Sequence, residues 1–277
     1  MNKDTILFYH GRCPDGFGSA YAFWRKYGDS IDYHPLLHHL REELDVNEYA
    51  GKRVFMADIS LPREQLLALN DVAAELTVLD HHKTAMESIG DLDFCHFDMK
   101  RSGAVISWDY LFSRPPPRLL RFIQDRDLWN WELDNADEVL LYSDSVGYDF
   151  DKWHVLEHEF EKEESFERVL GKGAAIKQYR DSVVKNMLEH SHTLNIKGYE
   201  VPAINTPFFR SEGVGILAGK EGVPFAAGYH FDGEFYAFSL RSTDDGVDVA
   251  DIAEKFPGGG GHRNASGFGV KSLEELS

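Results

Sequence analysis

Three apolar runs in the first third of the chain each end on side chains that bind metals or move protons. ILFYH ends on His10, VFMAD on Asp58, and TVLDHH on Asp80, His81 and His82. Helical patterns separate them, one from Phe17 to Tyr27 and one from Leu61 to Glu75, and a further apolar run, SIDYHPL, lies between the first two. Strand and helix in alternation predict a parallel sheet with helices on its faces. In such sheets ligands gather beyond the carboxyl ends of the strands. The pattern therefore brings His10, Asp58, Asp80, His81 and His82 to one sheet edge, with Asp15 in the turn after the first run.

The rest of the chain reads as two further regions. A helical pattern from Ser102 to Phe112 is interrupted by Pro115 to Pro117 and resumes from Leu119 to Trp131. From about Glu138 to His192 the chain is charged and periodic, as joining helices are. Strands return in YEVPAIN, PFAAGYHF and EFYAFSLRS, followed by a short helix near Asp248 to Phe256 and the glycine-rich run FPGGGGHRNASGFGV. The expected fold class is α/β in two lobes: an N-terminal parallel-sheet domain over 1–135, a helical connector over 136–194, and a smaller C-terminal α/β domain over 195–277.

Composition narrows the chemistry. The 277 residues include only two cysteines, Cys13 and Cys95, which excludes a disulfide framework and a four-cysteine zinc site. No stretch approaches the ~20 apolar residues of a membrane span, and the N-terminus shows no targeting pattern, so a cytoplasmic location without a membrane partner is expected. The net charge of −18 opposes binding to long duplex nucleic acid. A small phosphorylated ligand remains compatible with it, provided metal ions or a few arginines reverse the potential locally.

The donor types fit that proviso. Hard divalent ions take carboxylate and imidazole ligands, and paired ions share a bridging carboxylate. His10, Asp15, Asp58, Asp80, His81, His82 and Asp125 supply such groups. Asp127 competes with Asp125, because carboxylates two residues apart on a helix point in different directions. In the second lobe Gly258 to Gly261, followed by His262 and Arg263, read either as a phosphate grip or as an ordinary glycine-rich bend, and Arg241 ends a strand within reach of the same ligand. Ser102 before a helix serves equally as a phosphate contact or a cap. Phe17, Trp24, Trp129 and Trp131 are read as core side chains first and base-stacking faces second. His38-His39 and the His154, His158 pair have no companion carboxylates in sequence, so no separate metal site is assigned to them.

TVLDHHKTA contains an Asp-His-His triplet at a strand end, and it resembles the signature of the DHH superfamily of phosphoesterases. HGRCPDGFGSA resembles that family's first motif, MADIS its second, LDHH its third, and the FIQDRDLW region its fourth. The closing GGGGHRNASGF resembles the glycine-rich motif of the DHH-associated C-terminal domain. Five motifs in the right order cover nearly the whole chain.

The resemblance implies a two-lobed hydrolase in which two Mn²⁺ ions, or Mg²⁺, serve to cleave phosphodiester bonds, with a nucleotide gripped between the lobes. By motif position, His10 and Asp15 are metal ligands, Asp58 bridges the metals, His81 binds one of them, and Asp125 is taken for the fourth motif. Asp80 orients the imidazoles, and His82 contacts the scissile phosphate or protonates the leaving group. Arg241, Ser242, Gly259, Gly260, Gly261, His262, Arg263 and Ser102 are the expected substrate contacts. One position departs from the family: Cys13 stands where many members carry an aspartate, which leaves open whether one metal binds or two and favours softer ions. The expected reaction is hydrolysis of short linear oligonucleotides or dinucleotides such as pGpG to nucleoside monophosphates. A nucleotide 3′-phosphatase acting on 3′-phosphoadenosine phosphate and a catalytically weakened dinucleotide sensor are the alternatives, with inorganic pyrophosphate the remotest substrate. A homodimer through the connecting helices is left open.

Overall fold

The computed structural model describes residues 3–277, with the side chain of His39 outside that description. The chain divides into two units, 1–177 and 178–277.

In the first unit, β1 (Thr5–His10), α1 (Pro14–Tyr27), β2 (Asp32–Leu36), β3 (Arg53–Ala57), α2 (Arg63–Val72), β4 (Glu75–Asp80), α3 (Lys83–Ile89) and β5 (Cys95–Phe97) follow one another. The five strands form one parallel sheet in the order β2-β1-β3-β4-β5. Residues alternate between its faces, as strand geometry requires. Ile6, Phe8, Val54, Met56 and Val78 pack on Leu66 and Leu69 of α2 and Ile89 of α3. Leu7, Phe55, Ala57 and Leu79 pack on Ala20 and Phe23 of α1 on the opposite face. A sheet covered on both sides explains why its strands read as apolar runs rather than alternating ones.

Five helices complete this unit: α4 (Gly103–Leu111), α5 (Arg118–Asp127), α6 (Ala136–Val146), α7 (Phe150–Glu161) and the start of α8 (Glu163–Leu188). Their apolar sides meet α1 in a second core built on Phe17, Tyr21, Trp108, Trp153, Phe160 and Phe166. The stretch 136–194, expected as a connector, is thus shared between the units. Its helices α6 and α7 are buried in the first core, and the division falls inside α8.

The second unit carries a six-stranded mixed sheet in the order β10-β11-β9-β8-β7-β6. It is made of β6 (His192–Ile196), β7 (Tyr199–Asn205), β8 (Ala226–Phe231), β9 (Tyr236–Arg241), β10 (Gly260–His262) and β11 (Ala265–Val270), with α9 (Arg210–Ala218) and α10 (Val249–Ala253). Only the β7–β8 pair is parallel. Its main core stacks Phe268 between Phe238 and Phe256. Among the described residues, no helix is long and apolar enough to cross a membrane.

Candidate metal centre

The carboxyl ends of β1, β3 and β4 lie side by side, because β1 pairs with β3 and β3 with β4 in parallel register. His10 closes β1, Asp58 follows β3, and Asp80, His81 and His82 close and follow β4. Asp58 leaves the strand with φ of 60°, in the left-handed region that aspartate enters more readily than most residues. Its N–H donates to the Leu79 carbonyl at 2.9 Å, which ties this strained turn to β4. A strained backbone held in place by its neighbours is common where a side chain must be aimed.

Asp58 is the centre of the arrangement. Its Oδ1 lies 3.1 Å from His81 Nε2, and its Oδ2 lies 3.3 Å from His10 Nδ1. Ligand atoms of His10, Cys13 and Asp58 lie within 4.8 Å of one another, and so do those of Asp15, Asp58 and His81. Asp58 is therefore common to both of these groups. Asp127 joins the second of these, its Oδ2 standing 3.4 Å from His81 Nε2, and Asp15 Oδ2 is 3.6 Å from the same nitrogen.

Asp15 is held by the start of α4. Its Oδ2 accepts from Gly103 N at 2.6 Å and its Oδ1 from Ala104 N at 3.1 Å, where the helix end favours negative charge. Asp80 forms a further ligand-type group with Asp58 and His82. Its Oδ1 accepts from the His81 and His82 backbone amides at 2.7 and 3.2 Å and pairs with His82 Nδ1 at 2.7 Å. That contact orients the His82 ring.

Electrostatics describe a cluster built for cations. Burial pushes the Asp15 carboxyl well above the usual range, and the charges of Asp127 and Asp58 push it further. Burial likewise raises Asp127. Burial alone would also raise Asp58, but hydrogen bonding to His10 and His81 holds it well below the ordinary value. Burial acts to lower His81, and Asp58, Asp127 and Asp15 outweigh it to hold the imidazole well above its usual value. Beyond their ion-pair contacts, buried Asp58 Oδ2, His10 Nδ1 and Asp127 Oδ2 make no well-aligned hydrogen bond. Crowded carboxylates with unsatisfied donor-seeking atoms are what bound cations would neutralise. The donor set fits a pair of divalent ions sharing Asp58.

Several expected site residues stand elsewhere. Asp125, taken for the fourth motif, turns away from the cluster: its Oδ1 accepts from Glu132 N at 3.0 Å and its Oδ2 from Leu133 N at 3.1 Å, closing the loop after α5. Asp127 occupies the cluster instead. Ser102 is fully buried and caps α4 through Val105 N, so its hydroxyl is a cap and not a substrate contact. Arg263 donates to the Asp244 and Gly246 carbonyls, each at 3.1 Å, and lies 3.8 Å from Asp248, so it braces its own loop. The Ser242 hydroxyl donates to the Pro224 and Thr243 carbonyls.

Other residues of the second unit do come together. His262 pairs with Ala265, and Ala265 with Arg241, so the glycine-rich run and Arg241 share one end of the sheet. A methyl group on Gly259 would fall 2.0 Å from the Ala253 carbonyl oxygen, and Gly261 has φ of 139°. The close approach at Gly259 is thus to the chain's own helix. Gly260 belongs to β10.

Two groups were not expected at the centre. His38, in the 3₁₀ turn His38–Glu43, places its ring 4.6 Å from that of His10 and forms a further ligand-type group with His10 and His82. Arg41 of the same turn lies beside it. The signal was available, because SIDYHPL is also a parallel strand followed by histidine. His154 and His158 pack on each other along α7 away from any such group among the described residues. Phe17 is core and Trp24 packs against it, while Trp129 and Trp131 are 49% and 38% exposed on a left-handed loop.

A model of the DHHA1 domain matches residues 211–277. The uncharacterized protein R106 of Acanthamoeba polyphaga mimivirus is 32% identical over a 311-residue alignment that covers 99% of this chain and 70% of the relative. The chain belongs to the DHH superfamily of phosphoesterases, with the DHH-associated C-terminal domain. DHH phosphoesterases depend on metal ions, and the clusters around Asp58 are able to hold them. Solved structures similar to this DHH chain include an uncharacterized protein from Helicobacter pylori G27 (14% identity, 98% and 96% of the two chains covered, TM-score 0.47). Others are an exopolyphosphatase-related protein from Bacteroides fragilis (16%, 99% and 89%, 0.49) and the pGpG-specific phosphodiesterase PggH from Vibrio cholerae (10%, 99% and 95%, 0.41).

Proposed function

We propose that this DHH protein is a manganese-dependent phosphodiesterase that hydrolyses short linear oligonucleotides or dinucleotides, such as pGpG, to nucleoside monophosphates. The observation that carries the reading is the position of Asp58 between the His10–Cys13 and Asp15–His81 groups. His10, Cys13 and Asp58 would hold one ion, and Asp15, Asp58, His81 and Asp127 the other. Bound divalent ions supply positive charge against the phosphoryl oxygens and make water a competent nucleophile at neutral pH. Mg²⁺ is the alternative metal for the same hard donors.

The side chains supply the rest of the chemistry. Asp80 orients His82 through Nδ1, and His82 would give a proton to the leaving oxygen. In the second unit Arg241 and the backbone of Gly260 and Gly261 are the groups suited to a nucleotide phosphate. Exposed Trp129 and Trp131, directly after Asp127 in the chain, offer stacking faces for bases. The net charge of −18 favours short substrates over long nucleic acid, whose affinity rests on many phosphate contacts.

The test is a hydrolysis panel with Mn²⁺: pGpG, other 5′-phosphorylated dinucleotides, a longer RNA, 3′-phosphoadenosine phosphate and pyrophosphate. Cleavage concentrated on the dinucleotides, abolished by His81→Ala, supports the reading. Cleavage of 3′-phosphoadenosine phosphate alone assigns a phosphatase instead. Tight dinucleotide binding with no turnover under any divalent metal assigns a sensor.

A further inference from the structure

The turn after β2 brings a guanidinium to the metal centre, and no ion pair holds it there among the described residues. His38 Nδ1 and Arg41 Nη1 are 3.4 Å apart. The His38 ring is 4.6 Å from His10 and 5.8 Å from His82, so this pair stands against the ligand cluster and not on a remote surface. Arg41 is half-buried, and its Nε is shielded from solvent without a hydrogen-bond partner. Among the described residues no carboxylate lies within ion-pair distance of it, although the chain carries 47 acidic residues.

An arginine in that position is costly unless it serves an anion. Guanidinium stays charged, and withdrawing it from water without a counter-charge is unfavourable. Burial holds the Arg41 guanidinium below its usual range, with the more distant charges of Glu42 and Asp80 acting in the opposite direction. A guanidinium carries donors only, so in the 3.4 Å contact Arg41 Nη1 donates and His38 Nδ1 accepts, which leaves the other guanidinium donors for a ligand. The planar fork of those donors matches two oxygens of a phosphoryl group.

We propose that Arg41 is a phosphate-binding residue, with its guanidinium grasping non-bridging oxygens of the substrate phosphoryl group at the metal centre and His38 as the residue that positions it. This rests on the phosphoester reading for the class of ligand, and it adds a substrate contact contributed by a turn that carries none of the five motifs.

The experiment is equilibrium binding, by calorimetry, of 5′-GMP and of guanosine to the full chain with Mn²⁺. Wild type, Arg41→Gln, Arg41→Lys and His38→Gln are compared, with Mn²⁺ binding measured on each as a check that the centre is intact. Arg41→Gln is expected to weaken 5′-GMP about tenfold or more while leaving guanosine and Mn²⁺ binding unchanged. Arg41→Lys and His38→Gln should fall between it and wild type, and any turnover should show the loss in KM more than in kcat. Unchanged 5′-GMP affinity in folded Arg41→Gln overturns the proposal, and so does wild-type protein that fails to bind 5′-GMP. If the nucleotide binds and depends on Arg41 while the hydrolysis panel stays silent, the phosphate site stands and the phosphodiesterase reading falls.

Discussion

Gly103 packs so closely on Asp58 that a methyl group at its α-carbon would lie 2.6 Å from the Asp58 Cβ and 3.0 Å from Asp15 Oδ2. The start of α4 is thereby fitted against the two carboxylates. Gly103→Ala must push one of them aside, at a cost of about 1–3 kcal/mol for overpacking. The expected outcome is a lower unfolding midpoint in urea together with weakened Mn²⁺ binding, both read on the same protein. Normal metal affinity in this variant would show that the close fit does not aim Asp58.

Asp127 and Asp125 are expected to separate metal chemistry from stability. Asp127→Asn removes a carboxylate facing His81 and should depress kcat by at least a hundredfold, with little change in the urea midpoint. Asp125→Asn weakens two charge-assisted bonds to the Glu132 and Leu133 amides and should cost about 1–3 kcal/mol of stability with a smaller effect on kcat. The reverse pattern would return the ligand role to Asp125.

The response to pH follows from the directions of the shifts. His81 and His10 are held well above the usual histidine value in the metal-free protein, so the stability they contribute is complete below about pH 6.5 and is lost as pH rises through their folded values. The raised carboxyls of Asp15 and Asp127 act in the same sense, since their proton-bound forms are favoured by folding. His38 opposes them only below about pH 6.5, where the unfolded chain gains its proton. The metal-free melting temperature should therefore fall on going from neutral to alkaline pH. Bound metal replaces those protons, so the stabilisation by Mn²⁺ should grow over the same interval. A Mn²⁺-induced shift in melting temperature that is independent of pH would contradict this.

Cys13 should tune which ion is held. Its half-buried thiol is raised by burial and drawn down by His10, and a thiolate prefers softer ions than a carboxylate does. Cys13→Asp should shift the ratio of Mn²⁺ to Cd²⁺ affinity toward Mn²⁺. Competition titrations that give the wild-type ratio would remove Cys13 from the ligand set.

The parallel sheet was legible because strands buried on both faces leave apolar runs, and the polar residues at their ends stand out. His10, Asp58, His81 and His82 followed from that alone. The choice between Asp125 and Asp127 was not legible, because it depends on which carboxylate the amides of Glu132 and Leu133 claim, and that loop has no sequence signature. Ser102 was ambiguous for a similar reason: cap and phosphate contact use the same hydroxyl. His38 was set aside because no carboxylate accompanies it in sequence, and Arg41 was not singled out because its turn carries no motif, even though β2 ends at the same sheet edge. Helices α6 and α7 read as a charged connector because their polar sides dominate the composition, while Val139, Leu140, Trp153 and Leu156 bury the other sides in the first core.

The shared position of Asp58 is tested most directly by calorimetric titration of metal-free wild type and Asp58→Asn with Mn²⁺. Asparagine tolerates the left-handed backbone at this position, so the substitution isolates the lost charge. Two ions per chain in wild type, with neither retained by Asp58→Asn over the same concentrations, is the predicted result. A variant that still binds both ions would contradict the account.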